Sequence, residues 1–366
     1  MSGVGFQSLR VVELRADTRD AMVLGFELPA ALRERYLGFC PGQFLALRAR
    51  IDGEELVRHY SICSAPHQRV LRVAVKRVAG GVFSEWVHDR LRAGDPIEVA
   101  PPDGRFGVPA SLRPGASRHV LAFAAGSGIT PMLSIIEHLL VTEPLARVSL
   151  VYGNRASSSV MFRDELAGLK DRYLTRFTLL HVLSREPQDI DLLHGRLDAG
   201  RVRELLRRWL PLTDVDAALA CGPQPMMAAV REVLQQEGLA PERIRTELFS
   251  LGGAVAAPNR MRALRPAAPV RQCEVSLVMD GGTRRFSMPL DGSISLLNAA
   301  LGAGIDVRHS CKSGVCATCR CKLTAGEIDM DAAHALEDYE VARGFRLACQ
   351  SYPASAAVTV DFDQDQ

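Results

Sequence analysis

Hydrophobic and polar residues alternate over short stretches in the first hundred positions of the chain. The stretches 44–50, 71–78 and 96–101 combine this period of two with many β-branched residues, as strands do. The turn-like sequences IDGEEL and LRAGDP separate them, and a helical pattern runs over 83–91. This spacing predicts a closed or partly closed antiparallel β-barrel over residues 1–112.

After residue 113 the pattern changes to strands that alternate with amphipathic helices. The apolar segments that we interpret as strands are HVLAFAA, RVSLVYGN, RFTLLHVL and DAALAC. Strands that alternate with helices are typical of βαβ units. The sequence therefore predicts an α/β domain with a doubly wound parallel sheet over residues 113–250.

Periodicity is lost in the next stretch, which is rich in Gly, Ala and Pro and predicts a semi-extended linker over 251–271. Alternating patterns return at CEVSLVM and RRFSM, followed by a helical pattern and then a loop dense in cysteine. These features predict a separate α+β domain over 272–366.

Composition restricts the environment and the classes of partner. Hydrophobic residues make up 47% of the 366 residues, and 44 Lys and Arg against 42 Asp and Glu give a net charge of +2. With a net charge this close to zero, the chain as a whole has no electrostatic attraction for nucleic acid. No apolar run approaches the roughly 20 residues that span a bilayer, and charged residues interrupt the N-terminus where a signal peptide would be apolar. We therefore expect a cytoplasmic protein without membrane or nucleic-acid partners.

The charge is unevenly distributed between the predicted domains. Residues 272–366 contain 8 basic and 13 acidic residues, a net −5, which leaves 36 basic and 29 acidic residues, a net +7, in the rest. This contrast suits electrostatic docking between the two parts or with a partner. Ordinary surface variation is the alternative.

Four of the nine cysteines lie within eleven residues, a density that indicates a metal or cluster site. Cys311-x4-Cys316-x2-Cys319, with Cys349 thirty positions later, has the plant-type spacing of a [2Fe–2S] centre, in which each iron takes two thiolates. The alternative is structural zinc, but zinc sites favour two short Cys pairs. We interpret Cys321 as a bystander.

A glycine turn, Gly126-Ser127-Gly128, follows a predicted strand and opens a helix, as in dinucleotide-binding folds. Two glycines permit close approach of a pyrophosphate, and Pro131 suits the first helical turn. Arg155, Ser184 and Arg185 end the next two strands, where basic residues favour the 2′-phosphate of NADPH over NADH. An ordinary strand–helix turn and solvated loop arginines are the alternatives.

Two motifs in the first domain could hold a flavin. Arg58, Tyr60, Ser61 and Ser64 combine a cation, an aromatic ring and hydroxyls, and Gly80-Gly81 precedes Ser84 at a predicted helix start. Without further information, the same residues could equally be strand-end and turn residues.

Taken in order, these motifs resemble the ferredoxin–NADP⁺ reductase superfamily with a C-terminal plant-type ferredoxin domain. The resemblance covers essentially the whole chain and implies an FAD-binding barrel, a nicotinamide-binding domain and a β-grasp ferredoxin domain. The stretches that carry it are RHYSICSAP, GGVFSEW, AAGSGITPML, VYGNRASSSVMFRDEL, LLHGRLD, CGPQPMM and CKSGVCATCRCKL.

The resemblance also implies roles for individual residues. Ser61, Cys221 and Glu247 would act at the flavin and nicotinamide rings. The remaining residues that would bind FAD are Arg58, Tyr60, Ser64, Val75, Lys76, Gly81, Val82, Phe83, Ser84 and Phe249. Those that would bind the nicotinamide coenzyme are Gly126, Gly128, Thr130, Arg155, Ser184, Arg185, Gly222 and Pro223. The cluster ligands would be Cys311, Cys316, Cys319 and Cys349.

The resemblance is closest to the reductase components of phenylacetyl-CoA epoxidases. It implies that a monomer or weak oligomer passes electrons from NADPH, or alternatively NADH, through FAD and the [2Fe–2S] cluster to the oxygenase component that epoxidises phenylacetyl-CoA. Alternatives are the reductase of another multicomponent monooxygenase or dioxygenase, acting on a steroid, alkane or aromatic ring, a non-enzymatic redox sensor, and a zinc-bearing oxidoreductase.

Overall fold

The computed structural model describes residues 5–109, 117–249, 271–309 and 311–364. The predicted linker lies outside the described residues except for Arg271, and the predicted boundary near residue 113 lies outside them as well. The chain forms two compact units, one over Phe6–Phe249 and a second that contains the described residues from 271 onward.

The first part of the larger unit is a six-stranded antiparallel sheet with the order β4-β3-β6-β1-β2-β5. Its edge strands meet where Ile62, just after β4, bridges to Val73 in β5, so the sheet closes into a barrel. Alternate side chains fill its interior, as the period-two pattern requires. The elements are β1 (Gln7–Thr18), β2 (Ala21–Phe26), α1 (Arg33–Leu37), β3 (Phe44–Ile51), β4 (Glu54–Ser61), β5 (Leu71–Lys76), α2 (Val82–Asp89) and β6 (Pro96–Val99).

The second part of this unit is a five-stranded parallel sheet with the order β11-β10-β7-β8-β9. Continuously apolar strands such as β7 are buried on both faces. The elements are β7 (His119–Ala125), α3 (Ile129–Thr142), β8 (Arg147–Asn154), α4 (Arg163–Arg172), β9 (Phe177–Leu183), α5 (Ala199–Arg208), β10 (Ala217–Cys221), α6 (Gln224–Gln236) and β11 (Ile244–Glu247).

The strand order of the parallel sheet reverses beside β7, which lies between β10 and β8. In doubly wound sheets the carboxyl ends of the strands at this reversal form a crevice that takes ligands. The loops after β7 and β10 are therefore the part of this sheet where a coenzyme is expected.

The smaller unit contains a mixed five-stranded sheet with the order β13-β12-β18-β14-β16 and a separate pair, β15 and β17. Buried residues of α7, including Leu296 and Leu297, pack on the sheet. The elements are β12 (Gln272–Met279), β13 (Gly282–Pro289), α7 (Leu296–Gly302), β14 (Arg320–Ala325), β15 (Ile328–Met330), α8 (Asp338–Ala342), β16 (Phe345–Leu347), β17 (Ser351–Pro353) and β18 (Ala357–Asp361).

The predicted fold class is confirmed: an antiparallel barrel, a doubly wound parallel sheet and a β-grasp ferredoxin domain follow one another. The sequence patterns did not predict α5 or β11. The missed signal for α5 was Asp198, whose carboxylate accepts the Arg201 backbone N–H at 2.9 Å and begins the helix. Within the described residues, no helix is both long and apolar enough to cross a bilayer.

Candidate functional site

Three segments meet at one edge of the barrel. β4 ends at Tyr60 and Ser61, β5 ends at Lys76 beside them, and α2 begins after Gly81. The rings of Tyr60 and Phe83 lie 5.8 Å apart, which brings the start of α2 next to the end of β4. Burial raises the pKa of Tyr60, so its hydroxyl stays protonated.

This edge suits the chemical parts of FAD. Arg58 is exposed at the end of β4, where a guanidinium can meet a pyrophosphate, and Tyr60 is half-buried with an aromatic ring available for stacking. The backbone at Gly81 turns too tightly for a side chain, because an added Cβ would lie 2.7 Å from Ser84 Oγ. Free amides at the start of α2, near exposed Val82, favour an anion.

Three predicted flavin residues use their side chains inside the barrel. The buried Ser64 hydroxyl donates to Val70 O at 2.8 Å and accepts the Arg72 N–H at 3.1 Å. The Ser84 hydroxyl donates to Gly81 O at 2.9 Å, and the Val75 side chain is fully buried in the barrel core. These side chains shape the edge, and any contact of Val75 with a cofactor would be through its backbone.

The glycine turn after β7 lies against the loop after β10, at the strand-order reversal. A Cβ added to Gly128 would lie 2.1 Å from the Cys221 backbone oxygen, so only glycine fits. Gly126 has a φ of 54°, and its oxygen accepts the buried Tyr152 hydroxyl at 2.9 Å. The turn leads into α3, whose first turn contains Thr130, and this arrangement provides a backbone cradle for a dinucleotide.

The loop after β10 also packs closely, although less tightly than the glycine turn. An added Cβ on Gly222 would lie 2.8 Å from Met226 Cε, and Pro223 immediately precedes α6. The Thr130 hydroxyl is buried and donates to Ser127 O at 3.0 Å. Cys221, Gly222 and Thr130 therefore lie on the two facing loops of the crevice.

The structure brings together Ser61, Glu247 and Cys221, the three residues predicted to act at the reacting rings. The Ser61 hydroxyl donates to Glu247 Oε2 at 3.3 Å, and Cys221 is the register partner of Glu247 on the neighbouring parallel strand. Burial raises the pKa of Glu247 to about 8, which the Ser61 hydrogen bond partly offsets. Burial and the Glu247 charge raise the pKa of Cys221, so its thiol stays protonated.

A polar cluster lies at the ends of β8 and β9. The Ser184 N–H donates to Asn154 O at 2.9 Å and the Arg185 N–H to Arg155 O at 2.8 Å, so the two segments stay paired beyond the strands. Arg155 and Arg185 are exposed and Ser184 is half-buried. The sequence interpretation missed Glu186, whose carboxylate accepts from Ser157 N at 2.7 Å and Ser157 Oγ at 3.0 Å.

In the smaller unit the four predicted cluster ligands contact in two pairs. The thiols of Cys311 and Cys316 hydrogen-bond to each other, and those of Cys319 and Cys349 do the same. Among the residues that the structure describes, no three or more His, Cys, Asp or Glu side chains are placed so that they could hold one metal ion. Two thiols per iron is the arrangement that a binuclear [2Fe–2S] cluster needs.

Backbone amides point at the sulfurs of this loop. Ser313 N–H donates to Cys311 Sγ at 3.4 Å, Cys311 N–H to Cys316 Sγ at 3.5 Å, and Cys349 N–H to Cys319 Sγ at 3.5 Å. Hydrogen bonding within each pair lowers the pKa of Cys311 and of Cys349 and raises the pKa of Cys316 and of Cys319. Amide donors at the sulfurs suit cluster ligation.

The other predicted residues differ in their surroundings. Cys321 is buried in the core of its domain, 3.7 Å from Arg346 O. Phe249 is 37% exposed and is the last described residue of the larger unit.

Three family models match successive parts of the chain. They are the oxidoreductase FAD-binding domain over residues 8–107, the oxidoreductase NAD-binding domain over 123–232 and the 2Fe–2S iron–sulfur cluster binding domain over 278–354. These matches confirm the predicted cofactor classes: FAD, a nicotinamide coenzyme and a [2Fe–2S] cluster.

Relatives with known roles cover nearly the full length. One component of the 1,2-phenylacetyl-CoA epoxidase of Escherichia coli K12 is 42% identical over 98% of both chains. The ferredoxin reductase component of the 3-ketosteroid-9-alpha-monooxygenase of Mycobacterium tuberculosis is 35% identical over 97% of this chain and 96% of its own.

A solved structure shares the architecture. Phthalate dioxygenase reductase, described as a modular structure for electron transfer from pyridine nucleotides to [2Fe–2S], is 26% identical, covers 98% of each chain and superposes with a TM-score of 0.57. This chain therefore belongs to the family of oxygenase reductase components that join an FAD-binding, an NAD-binding and a 2Fe–2S domain in one polypeptide.

Proposed function

We propose that this chain delivers electrons from NADPH to the oxygenase component that epoxidises phenylacetyl-CoA. The observation that carries the proposal is the 42% identity to a component of a phenylacetyl-CoA epoxidase over 98% of both chains. The more distant identity of 35% to a steroid monooxygenase reductase makes a steroid oxygenase the second candidate partner.

When bound, FAD and the [2Fe–2S] cluster supply the conversion of a two-electron hydride into single electrons. The residues at the barrel edge orient the rings. Arg58 and the start of α2 would hold the pyrophosphate, Tyr60 would stack on the flavin, and Ser61 would place its hydroxyl at the ring edge, where it donates a hydrogen bond to Glu247. We assign Lys76, Val82, Phe83 and Phe249 to the same flavin site.

The glycine turn and the Cys221 loop hold the nicotinamide coenzyme. Gly128 packs directly on the Cys221 backbone. This contact fixes the distance between the glycine turn and the loop after β10, and it supports the proposal. Gly126 and Gly222 keep the backbone open to the pyrophosphate, and Thr130 and Pro223 begin the two helices that flank it. Cys221 excludes water beside the reacting ring because it is fully buried and protonated.

We infer that NADPH is preferred over NADH. Exposed Arg155 and Arg185 with Ser184 form the basic patch that we assign to a 2′-phosphate, and the carboxylate of Glu186 is turned onto Ser157 by two hydrogen bonds. Arg185→Ala should lower kcat/KM for NADPH by about 10- to 100-fold, because a hydrogen bond to a charged group contributes ~1.5–3 kcal/mol. NADH kinetics with ferricyanide serve as the control, and an equal loss with both coenzymes would contradict the assignment.

The partner is tested by reconstitution. The purified reductase is combined with NADPH, phenylacetyl-CoA and its oxygenase component, and NADPH consumption and epoxide are measured together. Coupled product formation supports the proposed partner. An active ferricyanide reductase that yields no epoxide, but hydroxylates a ketosteroid with the steroid oxygenase, would assign the second candidate instead.

We also propose the domain boundaries 1–112, 113–250 and 272–366, with a linker over 251–271, and the three family-model matches all fall inside them. A cytoplasmic monomer or weak oligomer is proposed as well. The structure describes all nine cysteines, and none of them forms a disulfide, which supports a reducing compartment.

A further inference from the structure

A buried ion pair lies beside the cluster loop. Arg320 Nη2 and Glu340 Oε1 are 3.0 Å apart, and the two side chains are only 8% and 6% exposed. The Arg320 guanidinium also lies over the Phe345 ring, with its Cζ 3.4 Å from the ring centroid. Among the ion pairs described in this domain, the Arg320–Glu340 pair is the most deeply buried. Nothing in the electron-transfer chemistry derived above uses it.

The pair is connected to the cluster ligands through the backbone. Arg320 directly follows Cys319 and is the register partner of Leu347 on β16. The next residue, Ala348, donates its N–H to Cys319 O at 3.0 Å, and Cys349 donates to Cys319 Sγ at 3.5 Å. The Arg320 side chain therefore belongs to the strand pair that brings Cys319 and Cys349 together.

Charges in a low-dielectric interior act on one another strongly, whereas exposed charges are screened by water. A cluster gains negative charge when it is reduced, and its potential depends on the net charge around it. An Arg cannot lose its proton, so a buried guanidinium on the residue that follows Cys319 favours reduction. A carboxylate 3.0 Å from it offsets that effect.

We propose that Arg320 and Glu340 set the reduction potential of the [2Fe–2S] cluster, with Glu340 holding the potential below the value that Arg320 alone would give. The inference rests on the [2Fe–2S] part of the proposed function and is independent of the identity of the oxygenase. The potential decides how completely electrons leave the flavin for the cluster, so the pair contributes to the driving force for that transfer.

The test is a redox titration of the full-length holoprotein, followed by the EPR signal of the reduced cluster. Glu340→Gln should raise the midpoint potential, because it removes one buried negative charge yet keeps an oxygen that can accept the Glu337 N–H. Arg320→Gln should lower it, because it removes one buried positive charge. The double variant R320Q/E340Q removes no net charge and should return close to the wild-type potential.

The matched control is Asp280→Asn. It removes the same charge from the exposed Arg308–Asp280 pair, whose side chains are 77% and 62% exposed, and should leave the potential nearly unchanged. The proposal is overturned if E340Q leaves the midpoint unchanged or lowers it, if D280N shifts it equally, or if the double variant shifts as far as either single one. If one single variant assembles no cluster, the other and the double variant decide the question. Because no oxygenase is present in the titration, its outcome is separate from that of the partner assay.

Discussion

Glu247 is a partly buried carboxyl group beside the Ser61 hydroxyl and on the strand next to Cys221. Glu247 Oε2 accepts a hydrogen bond from the Ser61 hydroxyl at 3.3 Å, and desolvation raises the pKa of Glu247 from 4.5 to about 8. The folded protein therefore keeps a proton on this group at neutral pH, whereas the unfolded chain releases it. A protonated carboxyl next to the Ser61 hydroxyl is neutral, so it avoids a buried charge at neutral pH.

The first prediction is a pH-dependent stability difference for Glu247→Gln. Between pH 4.5 and about 8 the folded state holds a proton that the unfolded state does not, so the contribution of Glu247 to stability falls as the pH rises through this window. Gln does not titrate. The melting temperature of E247Q relative to wild type should therefore rise from pH 5 to pH 9, as measured by thermal unfolding of the holoprotein.

Ser61→Ala is the control that separates loss of the hydrogen bond from loss of the titrating carboxyl. Ser61→Ala removes the hydrogen bond that lowers the pKa of Glu247 but leaves the carboxyl in place, so its stability should still fall as the pH rises from 5 to 8, as in the wild type. A constant difference between E247Q and wild type over the whole range would show that Glu247 does not titrate near pH 8.

At the scale of elements, the turn between β7 and α3 has no room for a side chain. We predict that Gly128→Ala destabilises the protein by about 2 kcal/mol or more and lowers NADPH oxidation, because the new methyl group would lie 2.1 Å from a backbone oxygen. Gly168→Ala is the matched control. Gly168 lies in α4 with no atom within 4 Å of an added Cβ, so the change should stabilise by about 0.5–1 kcal/mol. Chemical denaturation measures both, and similar values for the two variants would contradict the packing argument.

The cluster loop allows a comparison of two cysteines five residues apart. Cys316→Ser should abolish electron delivery to the oxygenase and remove the visible spectrum of the cluster, while largely preserving ferricyanide reduction at the flavin. Cys321→Ala should retain the spectrum, because that thiol packs in the domain core rather than in either thiol pair. Loss of the cluster in C321A, or equal loss of both activities in C316S, would contradict the ligand assignment.

Within the larger unit, polar contacts join the barrel to the parallel-sheet domain. Asp17 at the end of β1 accepts the Phe162 N–H at 3.0 Å, just before α4 begins, and Arg15 pairs with Glu165 at 3.0 Å. Phe162 has a φ of 56°, a backbone conformation that non-glycine residues rarely adopt without support. The Ser134 hydroxyl also donates to Ser64 O at 2.8 Å. These contacts help to fix the position of the barrel relative to the parallel-sheet domain.

We predict that Asp17→Ala costs about 1–2 kcal/mol of stability and slows the reduction of the flavin by NADPH. The reason is that the Phe162 amide loses its acceptor and the two domains lose a fixed contact. Asp17→Asn keeps an oxygen acceptor and should preserve most of the rate. Stopped-flow absorbance of the flavin and thermal unfolding measure the two effects.

The control for this prediction is Glu27→Ala, which removes a carboxylate from the exposed Arg10–Glu27 pair and should change neither quantity. A flavin-reduction rate in D17A equal to that of wild type would show that the contact contributes to stability alone.

Local patterns were sufficient to predict the barrel, the parallel sheet and the [2Fe–2S] site, whereas FAD and the β-grasp fold of the third domain were predicted from the family resemblance. Period-two alternation, strand–helix alternation and the spacing of Cys311, Cys316 and Cys319 all depend on residues near in sequence, and the physical constraints on strands, turns and ligands act over that range. The roles of individual flavin and nicotinamide residues came from the family resemblance and stay predictions.

Tertiary structure alone decided which distant residues meet. Ser61 and Glu247 are 186 positions apart and Asp17 and Phe162 are 145 apart, and no local pattern encodes such contacts. The same holds for the Arg320–Glu340 pair and for Ser64, whose hydroxyl is used in closing the barrel. Sequence spacing specifies which chemistry is available, whereas burial, pKa shifts and charge compensation depend on neighbours that only the closed barrel and the packed sheets bring into contact.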